Sequence, residues 1–213
     1  MEARQGIPPR SFRLRWVPRR LLAGGTEGNR RLTAMTATVL LALLAAEGLT
    51  LLAIRPLVST HVFLGMLLIP PIALKLASTG YRFARYYTGD RAYRRDGPPG
   101  LMMRMLVAPL VVASTFGLFA SGVALLAVGP RGGAVLAVHK ASFLVWFFAM
   151  SAHVLAYVLR LPQLVGADVT GAHRGSGVAV RRLLVAGALV AGVTLAIATL
   201  PLAHAWATHA WAR

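Results

Sequence analysis

The sequence predicts an all-α polytopic membrane protein, a bundle of five transmembrane helices. Three observations carry this expectation. Hydrophobic residues make up 57% of the chain and the mean hydropathy is +0.65, above the usual range for a water-soluble domain. Long uncharged runs recur, each sufficient to cross a hydrocarbon core about 30 Å thick. The basic residues, which give a net charge of +17, lie between these runs and not in a soluble domain, so they point to lipid head groups and away from nucleic acid. The absence of cysteine excludes disulfides, thiolate ligands and Cys-held iron–sulfur clusters.

Residues 1–31 carry eight arginines against two acids and are broken by Pro8-Pro9, Pro18 and Gly24-Gly25. They are expected to form a disordered cytoplasmic tail whose Phe12, Leu14, Trp16 and Val17 can dip into the membrane interface. The segment lacks the shape of a cleavable signal. Arg30-Arg31 stands before the first apolar run much as in a twin-arginine signal, but the long spans that follow predict a retained anchor.

The membrane domain covers 32–203, with spans at about 32–54, 57–79, 105–128, 134–159 and 183–202. Span one contains Glu47, the only acid in any span, which is expected to pair with Arg55, Lys140 or a histidine because an isolated charge there is costly. Arg55-Pro56 ends it, and span two follows at once, so the two form a tight helical hairpin. Span two holds His61, Gly65, Pro70-Pro71 and Lys75, and its adjacent prolines predict a kink. Span three offers Gly117, Ser121 and Gly122 as small packing residues. After the turn Gly129–Gly133, span four carries His139, Lys140 and His153. Residues 204–213 form a short outer tail that places Trp206 and Trp211 at the interfacial belt. His204 and His209 are five apart and miss the spacing of a helical metal pair.

Arginine placement sets the orientation. The N-terminal tail, the 80–104 loop and the 160–182 loop hold eight, six and four arginines, whereas the opposite side holds Arg55, Arg131 and Arg213. The N-terminus is therefore expected in the cytoplasm and the C-terminus outside, in a bacterial-type plasma membrane.

The histidines carry the chemistry. His139 and His153 are fourteen positions apart, which on a helix is within about 40° of the same face and about 21 Å along the axis. In the predicted topology, spans two and four both run from outside to inside. His61 then lies at nearly the depth of His139, near the outer surface, and two imidazoles so placed can hold an iron between them. Gly65, one turn below His61, offers a close approach to the backbone, and Arg131 on the outer loop can hold a propionate. Fourteen residues after His61 stands Lys75, facing His153. It can ligate as a neutral amine, neutralise a propionate or snorkel to the interface.

The frame His61-Val-Phe-Leu-Gly65 with His139-Lys-x-Ser-Phe-x-x-Trp146 and His153-Val-Leu resembles the small membrane b-type cytochromes, over residues 57–159. These are the four-helix haem modules of the cytochrome b561, formate dehydrogenase gamma and ferric-reductase-like kinds. The resemblance implies that His61 and His139 are axial ligands of an outer haem b and that His153 is one ligand of an inner haem. Lys75 stands where a two-haem member carries histidine, so one haem is expected and the second lacks a partner. The implied role is the electron-transfer subunit of an oxidoreductase, with a quinol donor, a redox partner protein and a homo- or hetero-oligomeric assembly as its company. Two other readings stay open. One is a haem-free membrane anchor or assembly subunit. The other is a small proton-coupled transporter using Glu47, Lys75 and His153, for which no inverted repeat is evident.

Overall fold

The computed structural model describes residues 25–95, 97, 100–158 and 177–209. All regular structure among them is helical. Helices α1 (Gly25–Thr50), α2 (Ile54–Tyr87), α3 (Arg91–Arg94), α4 (Ala108–Val128), α5 (Gly133–Tyr157) and α6 (Val178–His209) follow in order, with a π-helical turn at Met103–Val107 leading into α4. Four helical stretches, Gly25–Tyr87, Met103–Val128, Gly133–Tyr157 and Val178–His204, are long and apolar enough to cross a membrane. Phe116, Phe148, Leu155, Leu183, Val190 and Ile197 stay exposed on their outer faces. No soluble monomer presents so large an apolar surface, whereas acyl chains cover it at no cost. The protein is a multi-pass membrane protein.

The first of these stretches folds back on itself. Leu51–Ala53 form a 3-10 turn, and Ala53 leaves the helical region at φ −142°, ψ 56°. Pro56 lacks the N–H that would continue the α1 ladder, but it is tolerated in the first turn of a new helix, where that N–H has no partner anyway. The resulting antiparallel hairpin is held along its length by polar contacts. Asn29 donates from its side-chain amide to the Ser78 carbonyl at 3.1 Å, and the Thr33 hydroxyl bonds the Ser78 hydroxyl at 3.0 Å.

Helix α1 begins at Gly25, seven residues before the expected span, because Glu27 bridges to Arg30 and Arg31 one turn on and stabilises the first turns. The remainder of the expected N-terminal tail, the 160–176 part of the inner loop with His173, and Trp211 lie outside the described residues.

Helix α2 occupies the centre, flanked by α1 and α6, both antiparallel to it, while α4 and α5 form a second antiparallel pair. Helix α2 remains helical through Pro70 and Pro71. Pro71 cannot donate to the Leu67 carbonyl four residues earlier, and that oxygen faces Gly192 of α6. A Cβ placed on Gly192 would fall 2.3 Å from it. Ala196, one turn on from Gly192 and fully buried, packs beside Met66 and Leu67. A Gly-x-x-x-Ala face thus lets two backbones approach where the prolines have removed a donor.

Across the α4–α5 pair, Gly117 and Gly122 meet Ser142 and His139, as expected of packing residues. Trp146 donates to the Thr115 hydroxyl at 3.1 Å. At the end of the bundle beside the α4–α5 turn, Trp206 turns inward. It is buried with Val58 and Leu125 and donates its indole N–H to the Leu125 carbonyl at 3.2 Å, because α6 continues helically to His209 and returns the ring to the bundle.

Candidate functional site

Helices α2 and α5 run parallel and scarcely touch along their backbones. Side chains span the space between them. Near the end of the bundle where α4 turns into α5, the rings of His61 and His139 meet edge to face, with centroids 6.5 Å apart and planes inclined at 85°.

Each imidazole is oriented from behind. His61 Nδ1 lies 2.9 Å from Glu47 Oε1 and 3.0 Å from Thr50 Oγ1. The Thr50 hydroxyl proton is committed to the Glu47 carbonyl, at 2.6 Å, so both partners of Nδ1 are acceptors and the ring nitrogen must donate. His139 repeats the pattern. Its Nδ1 lies 3.1 Å from the Leu118 carbonyl and 3.2 Å from Ser121 Oγ, whose own proton is given to the Gly117 carbonyl at 2.6 Å. In neutral rings the proton is therefore on Nδ1, and both Nε2 atoms keep a lone pair. This is the tautomer and the backing that metal-bound histidines use.

The expectation that Glu47 pairs is met by His61. Glu47 Oε2 is buried with no hydrogen-bond partner. Gly65 turns its open side toward Glu47, where an added Cβ would lie 3.6 Å from Oε1, so its missing side chain makes room for the carboxylate. The backbone of Arg131 closes the short turn between α4 and α5; its side chain lies outside the described residues. His204 is exposed.

At the opposite end of the bundle, Lys75 turns toward α1. Its ammonium donates to the Thr33 carbonyl of α1 at 2.9 Å, across the hairpin at its own level. The His153 ring packs against Tyr157 at 5.2 Å, and its Nδ1 is buried without a partner. Of the two predicted pairs, His61 and His139 meet across the α2–α5 space.

Sequence reasoning missed Thr50, Leu118 and Ser121. Thr50 is three residues after Glu47 and so shares its helix face, and Ser121 lies about as far before the Gly129–Gly132 turn as His139 lies after it. A groove of about 430 Å³ runs along the α4–α5 seam between Gly117, Ala120, Ser121 and Ala124 on one side and Ala134 and Val138 on the other. Among the described residues no three His, Asp or Glu side chains converge as a metal cage, but a haem iron asks for only two axial ligands. The chain matches no protein-family model, no curated protein and no solved structure.

Proposed function

We propose that this protein is an integral membrane electron-transfer protein that binds one haem b between α2 and α5, with His61 and His139 as its axial ligands. The observation that carries the reading is the facing imidazole pair, each ring held through Nδ1 so that Nε2 is left to bind. The 6.5 Å between the His61 and His139 centroids is of the size that two imidazole–metal bonds of about 2 Å each would span. The sparse backbone contact between α2 and α5 is a second support, because a planar macrocycle needs helices that stand apart.

Within this reading the chain crosses the membrane five times, with α1 and α2 as separate crossings. The arginine distribution puts the N-terminus in the cytoplasm and the His61–His139 pair near the outer face, in a bacterial-type plasma membrane. Bound haem supplies one-electron redox chemistry. Glu47 and Thr50 fix the His61 ring and make it more basic, Leu118 and Ser121 fix the His139 ring, and the apolar helices exclude water. A quinol donor and a redox partner protein follow from the resemblance to membrane b-type cytochromes.

A haem-free anchor subunit is the second reading, favoured by the fact that Glu47 and Leu118 already satisfy both rings. An absorption spectrum of the purified protein, with haem quantified per chain, separates the two. The expected result is a Soret band and a haem-derived alpha band that disappear in His61→Ala and His139→Ala and survive in His204→Ala. Wild-type protein purified from haem-replete cells without these bands rules the haem reading out.

A further inference from the structure

The bundle consists of two packed groups, α2 with α1 and α6, and α4 with α5. Each group carries one ring of the candidate pair, His61 on α2 and His139 on α5. Because α2 and α5 scarcely touch, their own packing does not fix the distance between the rings. It is fixed where the two groups meet.

They meet around Trp206. Its ring is buried in one cluster with Val58 of α2 and Leu125 of α4, and Val135 and Leu136 of α5 pack against that cluster. Its indole N–H donates to the Leu125 carbonyl at 3.2 Å, the oxygen that also accepts the Gly129 N–H where α4 ends. A side chain of α6, the neighbour of α2, is thereby fastened to the end of α4 from which the turn into α5 starts.

The register of these contacts ties them to the histidines. Val58 precedes His61 by three residues and Leu136 precedes His139 by three, so each is one turn away on its own helix. Leu125 follows Ser121 by four residues, and Ser121 Oγ lies 3.2 Å behind His139 Nδ1. The cluster around the indole therefore holds the neighbouring turns of α2, α4 and α5. We infer that Trp206 is the positioning residue of the His61–His139 pair, setting the spacing and mutual tilt of the two rings. The inference deepens the haem reading and rests on it for the ligand role of the rings. Such a pair must be held within about 0.5 Å to bind well, and two helices that do not pack on each other need a third to hold them. An indole suits the task, since it offers a large rigid contact and its N–H fixes the orientation of the ring.

The sequence contains no cysteine, so nitroxide labels can be attached to the full-length chain at Thr60→Cys of α2 and Ala137→Cys of α5, exposed positions beside the two histidines. Pulsed EPR then reads the distance between α2 and α5. Trp206→Phe removes the N–H and Trp206→Ala removes the ring. Both are expected to lengthen and broaden the distance distribution, alanine more than phenylalanine. Trp146→Phe deletes a buried indole bond inside the α4–α5 pair and is the control, with a lowered thermal midpoint and an unchanged distance. In haem-loaded, unlabelled protein, the low-spin ferric EPR signal reads the mutual orientation of two axial imidazoles. It should shift in Trp206→Phe and not in Trp146→Phe, with haem retention in Trp206→Phe weakened by up to about tenfold, the worth of one buried hydrogen bond. A wild-type distance distribution in Trp206→Phe would overturn the inference, and so would an equal shift in Trp146→Phe or an unmoved ferric signal in haem-loaded Trp206→Phe. Should Trp206→Ala fail to fold, Trp206→Phe decides alone. A wild-type protein without haem bands defeats the haem reading only, and the label distance, which needs no haem, still decides whether Trp206 positions the pair.

Discussion

Glu47 Oε1 lies 2.9 Å from His61 Nδ1, so a carboxylate of α1 orients a histidine of α2. Glu47→Gln keeps an oxygen at that position and removes its charge. With His61 as a haem ligand, as proposed above, a less basic ring would stabilise oxidised iron less, and the variant is expected to raise the midpoint potential. On the same proposal, Glu47→Ala should weaken haem retention about 10–100-fold, the usual cost of losing a partner behind a metal ligand. A redox titration followed by absorbance, with haem per chain, checks both. An unchanged potential in Glu47→Gln would separate the carboxylate from the redox centre.

The closest backbone approach between α2 and α6 makes a sharp stability prediction. A Cβ at Gly192 would lie 2.3 Å from the Leu67 oxygen, and backbone on both sides cannot yield as a flexible side chain would. Gly192→Ala is expected to cost about 1–3 kcal/mol or more, read as a lowered thermal unfolding midpoint in detergent. Gly48, also helical but with nothing within 4 Å, is the control. Gly48→Ala should be neutral or stabilise by up to about 1 kcal/mol.

The buried hydrogen bond from Trp146 to Thr115 predicts a difference between near-isosteres. Thr115→Ser keeps the acceptor, whereas Thr115→Val leaves the indole N–H without one in an apolar interior. Thr115→Val is expected to destabilise by about 1–3 kcal/mol, with Thr115→Ser costing clearly less. Thermal unfolding of the pair measures the difference, and the Trp146 fluorescence maximum reports whether its indole has changed surroundings.

Beyond the end of α2, outside the membrane-crossing segments, Tyr93 of α3 is buried against Tyr81, their ring centroids 6.1 Å apart. Burial, and next the neighbouring Tyr81, raise its hydroxyl above the ordinary value of 10.0. A proton held more tightly in the folded state stabilises fully below the unfolded value and is lost as pH rises through the raised one. Docking of α3 is therefore expected to weaken only above pH 10. Tyr93→Phe should remove that alkaline component and delete one late-titrating phenol from the ultraviolet titration, leaving neutral-pH behaviour almost unchanged.

Much of this protein is legible without its tertiary structure. Apolar run length and composition determine the helical membrane-crossing class, since no other local structure satisfies a backbone surrounded by lipid. The hairpin beside Arg55-Pro56, whose turn falls at Leu51–Ala53, is marked by the N–H that Pro56 lacks. The helical repeat, together with the order of the spans, was enough to pair His61 with His139, because depth in a bilayer is counted in residues. Three things were decided only by packing. Whether Glu47 meets Arg55, Lys140 or a histidine depends on helix rotation, which depth does not specify. Trp206 looks like an interfacial residue until α6 returns it to the bundle and offers it the Leu125 carbonyl. Above all, the tautomer of each histidine depends on Thr50, Leu118 and Ser121. Their lone pairs and protons are assigned by contacts across helices, and no periodicity along the chain records them.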